Sequence, residues 1–293
     1  MITRVTTQMS MAAASARLQD GAARLAQLTE RATSLQAIGK PSDDPVGTAS
    51  SMQVRKEQAA AAQYTRNADD AVGWLATTDG TLTDVYNVLN KVRDLTVQAA
   101  NSGTMNDVDR GALVTQFQAL RADLESAANT KYGTRSVFAG SSTESSAYDP
   151  ADGWSTAATA VTRRIGDGAT VRVDTPGAQV FGSGTSSVFA MVDDIVADLQ
   201  AGVDANPRIN DVDAAIVTVR GAQADVGVRH ATALAAQDAL KTTATTLENR
   251  RSGIEDLDLA KAVLDLQVQQ TNYQAALAVT AKVLQPTLMD YLR

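Results

Sequence analysis

Two adjacent carboxylates, Asp43 and Asp44, stand out in the segment KPSDDPVGTAS, residues 40–50. Adjacent carboxylates can bind a metal ion, carry acid–base chemistry or cap a helix. Acid–base catalysis would need two opposed carboxylates in a pocket and a proton partner, and the sequence offers neither. Pro45 suits the first position of a helix, and an aspartate directly before it can accept a backbone N–H there. We therefore predict a helix cap, with Asp43, Asp44 and Pro45 forming a hinge between two helices.

The remaining candidates for chemistry are few. The chain has one histidine and no cysteine, which excludes thiolate and histidine-rich metal sites. His230 falls on the apolar seam of a long predicted helix, so we expect it to serve in packing. The GDG at residues 166–168 is a turn, too short for a nucleotide loop, and no phosphate, zinc or calcium motif is present. The sequence predicts a protein that is not an enzyme and that uses no cofactor or metal ion.

Composition narrows the class of partner. The net charge is −7 and the basic residues are not clustered, so a nucleic-acid partner is not expected. No apolar run approaches the roughly 20 residues of a membrane span, which predicts no membrane insertion. The first 20 residues lack the uninterrupted apolar region of a cleaved signal peptide. We expect a protein that is not inserted into membranes and carries no cleaved secretion signal.

Apolar residues recur at alternating spacings of three and four through most of the chain, which indicates helices that pack through one seam. The seams of the two chain ends are weaker, and such helices form only when they are packed. The central seams are Ala71, Leu75, Thr78, Leu82, Val85, Leu89, Val92, Thr96 and Ala99; Leu113, Phe117, Leu120, Leu124 and Ala127; Val188, Val192, Ile195 and Leu199; and Val212, Ile216, Val219, Gln223, Val226, His230, Ala233, Gln237, Leu240, Ala244 and Leu247.

The helical period is lost between residues 134 and 185, where glycine, serine and threonine become frequent. Residues 161–174 predict a hairpin with Asp167 and Gly168 in the turn, followed by Thr170, Arg172 and Asp174 in alternation with two valines. The predicted fold is mainly α with a small β-rich insert: the N- and C-terminal halves form a long antiparallel helical bundle or coiled coil, with the insert at its tip. The predicted domains are residues 1–40 plus 255–293 (terminal helices), 41–133 plus 187–254 (central bundle) and 134–186 (insert).

Three segments together resemble the flagellin superfamily: KPSDDPVGTAS, LNKVRDLTVQAANSG at residues 89–103, and SGIEDLDLAKAV at residues 252–263. They occur in the order and at the spacing of that family. The resemblance implies a structural subunit of the bacterial flagellum whose terminal helices build the inner tube. Because Arg93–Asn101 is similar to the flagellin segment sensed by an innate immune receptor, it also implies weak binding of the isolated chain to that receptor.

The opening MITRVTTQM, the stretch YGTRSVFAGSSTESSAY at residues 132–148 and the ending VLQPTLMDYLR are similar to the hook–filament junction members of the superfamily. That likeness implies export in an unfolded state through the flagellar type III channel and an extracellular location. It also implies a ring of copies between the first hook–filament junction protein and flagellin, and a cytoplasmic export chaperone on the C-terminal helix. A minor filament flagellin is the alternative, and an enzyme on this scaffold would lack a recognisable site.

The apolar residues of the terminal helices are the predicted subunit and chaperone interface, because no central core supports them and exposed apolar stripes promote association. They are Val5, Met9, Leu18, Leu25, Leu28, Leu35, Leu266, Tyr273, Leu277, Leu284, Leu288, Tyr291 and Leu292.

Overall fold

The structure, a computed structural model, describes residues 2–100, 106–144, 146–155 and 159–284, with only the backbone for residues 2–8, 10, 283 and 284. Helices dominate this described part of the chain, and its strands are short antiparallel pairs. The helices are α1 Ile2–Ser34, α2 Pro45–Ala100, α3 Asp107–Ala128, α4 Gly177–Phe181, α5 Val188–Ala201, α6 Arg208–Glu255 and α7 Leu259–Leu284, with a 3-10 turn at Gly184–Ser186. The strands are β1 Lys131–Tyr132, β2 Arg135–Ser136, β3 Tyr148–Asp149, β4 Gly153–Trp154, β5 Thr162–Arg164 and β6 Thr170–Arg172.

The chain divides into two compact units. Unit 1 comprises residues 1–59 and 244–293, and unit 2 comprises residues 60–243. The division passes through α2 and α6, since each of these helices contributes residues to both units. The three-domain arrangement expected from the sequence stays a prediction.

The core of unit 2 follows the predicted seams. All nine seam residues of α2 between Ala71 and Ala99 are buried, including Thr78 and Thr96. Each of these two threonines donates its hydroxyl to a carbonyl four residues earlier, so neither leaves a polar atom unsatisfied in the core. The four seam residues of α5 are buried as well, and in α3 only Ala127 is half-buried. The apolar period therefore predicted these helices correctly.

Within unit 2, α2 and α6 run antiparallel and in register. Gln237 Nε2 donates to Asp69 Oδ1 at 2.6 Å, and Gln223 Nε2 donates to Thr83 Oγ1 at 2.9 Å. Fourteen residues separate the two partners on α2, and the same number separates the two glutamines on α6. The polar residues at the edge of the α6 seam thus bond to α2, while the apolar seam residues form the core.

The predicted hairpin is present: β5 pairs with β6, Arg163 opposes Val171, and Gly168 takes a positive φ of 74° in the turn. The hairpin packs on the side of α2, where Arg163 Nε lies 2.6 Å from Asp70 Oδ2. Asp70 is thirty residues before the end of α2 at Ala100. The sequence predicted an insert at the tip of the bundle. In the structure, the hairpin of the insert lies beside α2 within unit 2, thirty residues before the end of that helix.

Asp174 departs from the simple alternation expected for the hairpin, in which it would share the exposed side with Thr170 and Arg172. Only 1% of Asp174 is exposed. Its carboxylate accepts the backbone N–H of Val161 at 2.7 Å and two bonds from Arg172, at 3.0 and 2.8 Å. A buried carboxylate is tolerated when it is paired and hydrogen-bonded in this way.

Five aromatic side chains gather where the insert meets α5. The ring of Phe189 stacks on Tyr148 and Phe181, with centroids 4.1 and 5.8 Å apart. Trp154 packs beside Phe181 at 5.5 Å, and Phe138 meets the same ring edge-on at 5.3 Å. In a chain with only 4% aromatic residues, this cluster joins the insert to the hydrophobic core that the helices of unit 2 form.

Candidate assembly interface

Helices α1 and α7 pack against each other in unit 1. The ring of Tyr273 lies over Gly21, so close that an added Cβ atom there would come within 3.2 Å of Tyr273 Cδ2. Gln269 Nε2 donates to the carbonyl of Gly21 at 3.3 Å. Gly21, which has no side chain, is therefore the point at which α7 approaches α1 closely.

The predicted interface residues fall into three groups. Those that face the partner helix are half-buried, and others remain exposed by 43–69%. The half-buried ones are Leu18, Leu25, Leu28, Leu266 and Tyr273; the exposed ones are Met9, Leu35 and Leu277; and Val5, Leu284, Leu288, Tyr291 and Leu292 lie outside the residues whose side chains the structure describes.

A second apolar surface lies on the other side of α7. Leu264, Val268 and Val279 are exposed by 62%, 59% and 61%. Their spacings of four and eleven residues bring them to one side of a helix of 3.6 residues per turn, nearly opposite Leu266 and Tyr273. We call these three residues the outer face of α7. The sequence did not lead to a prediction of this face, although its spacing is visible there, because the predicted seam of α7 runs along the opposite side.

At the start of α2, Asp44 Oδ1 accepts the backbone N–H groups of Val46 at 3.1 Å and of Gly47 at 2.8 Å. This is the geometry of an N-cap. A side chain at residue 47 would overlap the Asp44 carboxylate and the Ile38 side chain, which explains the glycine. Asp43 holds the loop instead, accepting the N–H of Lys40 at 3.2 Å. The two adjacent carboxylates thus bond to different backbone groups of the turn.

Replacing Asp44 by alanine is expected to lower the free energy of unfolding of unit 1 by about 1 kcal/mol, because two backbone donors lose their acceptor. Asp44→Asn is the matched control, since asparagine caps helices equally well. Hydrogen exchange of the first turn of α2 would measure the change. Equal protection in the alanine variant and in the wild type would contradict the capping role.

A cluster of ionic bonds surrounds Glu255, the last residue of α6. Its carboxylate accepts two bonds from Arg55, at 2.7 and 2.8 Å, and one from Arg251 at 3.0 Å. The hydroxyl of Ser51 donates to the same carboxylate. Only 10% of the Glu255 side chain is exposed. The hydrogen bonds from Arg55, then Ser51, lower the pKa of Glu255 to about 2. We call these four residues the Glu255 cluster.

The stability of unit 1 is expected to fall as the pH drops from about 5 towards 2. An unfolded glutamate titrates near 4.3, so the stabilisation by ionised Glu255 is complete above that value and is lost as the pH approaches 2; the loss is on the order of 2 kcal/mol. Urea unfolding at several pH values would measure it. Glu255→Gln, which cannot ionise, should flatten this part of the profile, and an unchanged slope would contradict the assignment.

The remaining candidates from the sequence are His230 and the segment Arg93–Asn101. His230 is half-buried on α6. Arg93 Nε lies 2.6 Å from Asp213 Oδ1 and bonds to it, whereas Asn101 at the end of the same segment lies outside the described residues. Among the residues that the structure describes, no group of three or more acidic or histidine side chains is placed to hold a metal ion. No helix in that part of the chain has the length and apolar character needed to cross a bilayer.

Comparison with known proteins agrees with this architecture. The family model of the bacterial flagellin N-terminal helical region matches residues 5–143, and that of the bacterial flagellin C-terminal helical region matches residues 209–292. The two matches include all of α2 and α7 and nearly all of α1 and α6. The chain belongs to the bacterial flagellin family, and it is a structural protein of the bacterial flagellum.

Particular relatives refine the comparison. The chain is 28% identical over 218 residues to flagellar hook-associated protein 3 of Salmonella typhimurium, covering 69% of this chain and 68% of the relative. It is 26% identical over 269 residues to a flagellar filament 31.3 kDa core protein of Treponema maltophilum, covering 89% and 90%. A solved flagellar hook-associated protein of Vibrio parahaemolyticus matches with a TM-score of 0.66 and 21% identity, over 73% of this chain and 100% of that one. The last comparison shows a shared fold.

Proposed function

We propose that this chain is the subunit of the hook–filament junction, where a ring of copies connects the first junction protein on the hook to flagellin beyond. The likeness to flagellar hook-associated protein 3 of Salmonella typhimurium supports the junction role. Assembly with neighbouring copies is supported by the pair of opposite apolar faces on α7, one packed on α1 and the other exposed. A helix that is apolar on two faces needs two partners. The described part of the chain covers only one of these faces, so a neighbouring copy is the partner that completes the interface.

The same surface explains why export would need a chaperone. An exposed row of leucine and valine side chains promotes association before assembly. A cytoplasmic chaperone on α7 would cover this row until the chain is threaded, unfolded, through the flagellar type III channel. Export by that route requires no cleaved signal peptide and delivers the chain to the outside of the cell.

A minor filament subunit is the second candidate. One observation favours it: the match to the Treponema maltophilum filament core protein covers more of both chains than the match to flagellar hook-associated protein 3 of Salmonella typhimurium. Both candidates use terminal helices for assembly, so the geometry of α1 and α7 supports either. The two differ in what their loss does to the filament.

Deletion of the gene tests the choice. Loss of a junction subunit leaves complete hooks without filaments, and flagellin accumulates in the medium. Loss of a minor filament subunit leaves filaments that are normal or shortened. Electron microscopy of the cells and immunoblots of the medium distinguish these outcomes, and re-expression of the intact chain is the control.

Leu35 adds support through its exposed side chain. It is the described non-glycine residue with a positive φ, 58°, and 54% of its surface is exposed. Leucine rarely adopts a left-handed conformation, and an exposed apolar side chain gains no stabilisation from burial. The left-handed backbone of Leu35 ends α1 and turns its carbonyl to the N–H of Leu257, which donates to it at 3.0 Å. The exposed apolar side chain is the feature that a contact with a neighbouring copy would cover.

Leu35→Asn is expected to raise the stability of the isolated chain by about 1 kcal/mol, because asparagine tolerates the left-handed conformation. The same variant should reduce motility, because the proposed contact is lost. Urea unfolding and swimming in soft agar measure the two effects. Leu35→Met keeps an apolar side chain and should change neither by much. Full motility of cells that carry Leu35→Asn would show that Leu35 takes no part in the interface.

A further inference from the structure

One stretch of the α2–α6 pair in unit 2 buries little apolar surface. Between residues 60 and 73 of α2, the buried apolar residues are Ala61, Ala68 and Ala71. Each contributes a single methyl group, and the hydrophobic stabilisation of a seam grows with the apolar area that it buries. Further along α2, leucines and valines fill the same seam. The alanine stretch therefore depends on other contacts to hold the two helices together.

The β5–β6 hairpin is fastened to α2 at this stretch. Asn67 Nδ2 donates to the carbonyl of Arg164 at 2.7 Å, and Arg163 Nε donates to Asp70 Oδ2 at 2.6 Å. The guanidinium of Arg163 also lies 5.9 Å from the centre of the buried Trp74 ring. The inner side of the hairpin is apolar and joins the core of unit 2 through Val161, Ile165, Val171 and Val173. Strand β5 is thus bound to α2 by both polar and apolar contacts.

The other strand of the hairpin is fastened to α6 by Arg229. This guanidinium donates to the carbonyl of Asp174 at 2.8 Å, to the carbonyl of Arg172 at 3.4 Å and to the hydroxyl of Thr175 at 3.1 Å. Only 15% of the Arg229 side chain is exposed, and Asp225 of the same helix pairs with it at 2.8 Å. A guanidinium holds several N–H donors in one plane, so a single side chain can bind the end of β6 at several points.

We propose that the β5–β6 hairpin is a strap across the α2–α6 pair, anchored on α2 by Asp70 and Asn67 and on α6 by Arg229, and that its closure holds the two helices together along the alanine stretch. The two anchors grip different strands, so separation of the helices must break one of them or open the hairpin. A two-stranded ribbon is marginally stable alone, so the strap and the helices stabilise each other. Resistance to sliding of α2 along α6 in a loaded junction is a use that rests on the proposed function. The strap itself is a property of the isolated chain.

Hydrogen exchange of the full chain, followed by mass spectrometry, tests the strap. Asp70→Ala removes the anchor on α2, and Arg229→Gln removes the anchor on α6. Each variant should raise the exchange rate of the amides at residues 60–74 by about tenfold, because the loss of a hydrogen bond to a charged group shifts an equilibrium by that order. The amides at residues 85–99 of the same helix should keep their rates. Unchanged rates at residues 60–74 in either variant would overturn the proposal.

The double variant distinguishes a strap from two independent bonds. If the hairpin opens as one unit, the loss of either anchor releases it, and the second substitution should add little to the exchange rate at residues 60–74. Independent bonds would instead multiply the two single effects, because the free-energy changes of uncoupled sites add. A double variant whose exchange rate shows that product would overturn the proposal.

Arg220→Gln is the matched control, because Arg220 also lies on α6 but contacts α2 itself, with its guanidinium 5.0 Å from the centre of the Tyr86 ring. It should leave exchange at residues 60–74 unchanged, and a rise equal to that of Arg229→Gln would refute the strap by showing a general effect of charge. Circular dichroism checks that helix content is kept. If Arg229→Gln loses helix content, Arg229→Lys takes its place, since it keeps the charge and removes the planar set of donors; unchanged exchange in that variant would overturn the proposal. None of these measurements needs assembly, so they remain informative if the junction role is wrong.

Discussion

Cells that carry Leu264→Glu together with Val268→Glu are expected to lose motility while still secreting the chain. Both side chains are about 60% exposed on the outer face of α7, so the isolated chain should fold normally. In an assembled interface the two carboxylates would be buried without partners, at a cost of several kcal/mol. Soft-agar swimming, electron microscopy and an immunoblot of the medium would show non-motile cells with unassembled chain outside.

The matched control adds the same two charges elsewhere on α7. Gln267→Glu with Gln270→Glu changes two exposed polar positions outside the outer face. This variant should keep most of its motility. Full motility of the Leu264 and Val268 variant would exclude the outer face from assembly. Absence of that variant from the medium would assign the face to export instead of assembly.

A single methyl group at Gly182 is expected to destabilise unit 2 by about 3 kcal/mol or more. Gly182 has φ 75° and ψ −177°, a conformation that is essentially restricted to glycine. An added Cβ would also overlap the carbonyl oxygen of Ser186 and come within 2.9 Å of the Ser187 Cα. Both neighbours are backbone atoms, so a change of side-chain rotamer cannot relieve the clash.

The effect is measurable through the tryptophans, since Trp74 and Trp154 both belong to unit 2. Trp154 Nε1 donates to the carbonyl of Gly182 at 2.8 Å, so its fluorescence reports on this turn directly. Gly184→Ala is the control: Gly184 also has a positive φ, 56°, but nothing lies within 4 Å of its added Cβ. It should cost about 1 kcal/mol in the urea unfolding free energy. Equal losses in the two variants would show that steric overlap at Gly182 adds nothing.

The fold could be predicted from patterns among residues that are close in sequence. The seam of α2 is a repeat of three and four residues, which a helix converts directly into one buried face. The hairpin of the insert was predictable for the same reason, because Asp167 and Gly168 specify the turn. Such signals depend only on residues close in sequence. They required no knowledge of what packs against the element.

Contacts between distant residues escaped prediction. Nothing near Glu255 in the sequence indicates that Ser51 and Arg55 will bond to it. By the alternation of the hairpin Asp174 should be exposed, but its hydrogen bonds with Arg172 and with the backbone of Val161 hold it in the interior. The outer face of α7 was missed for a different reason, since α7 has two apolar faces and the prediction followed the period of only one of them.

The register of α2 against α6 has a consequence for how fast the chain can fold. Asp69, Thr83 and Arg93 find partners on α6 that lie 168, 140 and 120 residues further along. Closing loops of that length costs conformational entropy before any contact rewards it, and topologies rich in such distant pairings fold slowly. On the proposed export route, a chain threaded through a narrow channel from one end cannot complete its bundle until nearly all of it has emerged. Slow folding, ordinarily a liability, would then keep the chain in the form that this route requires.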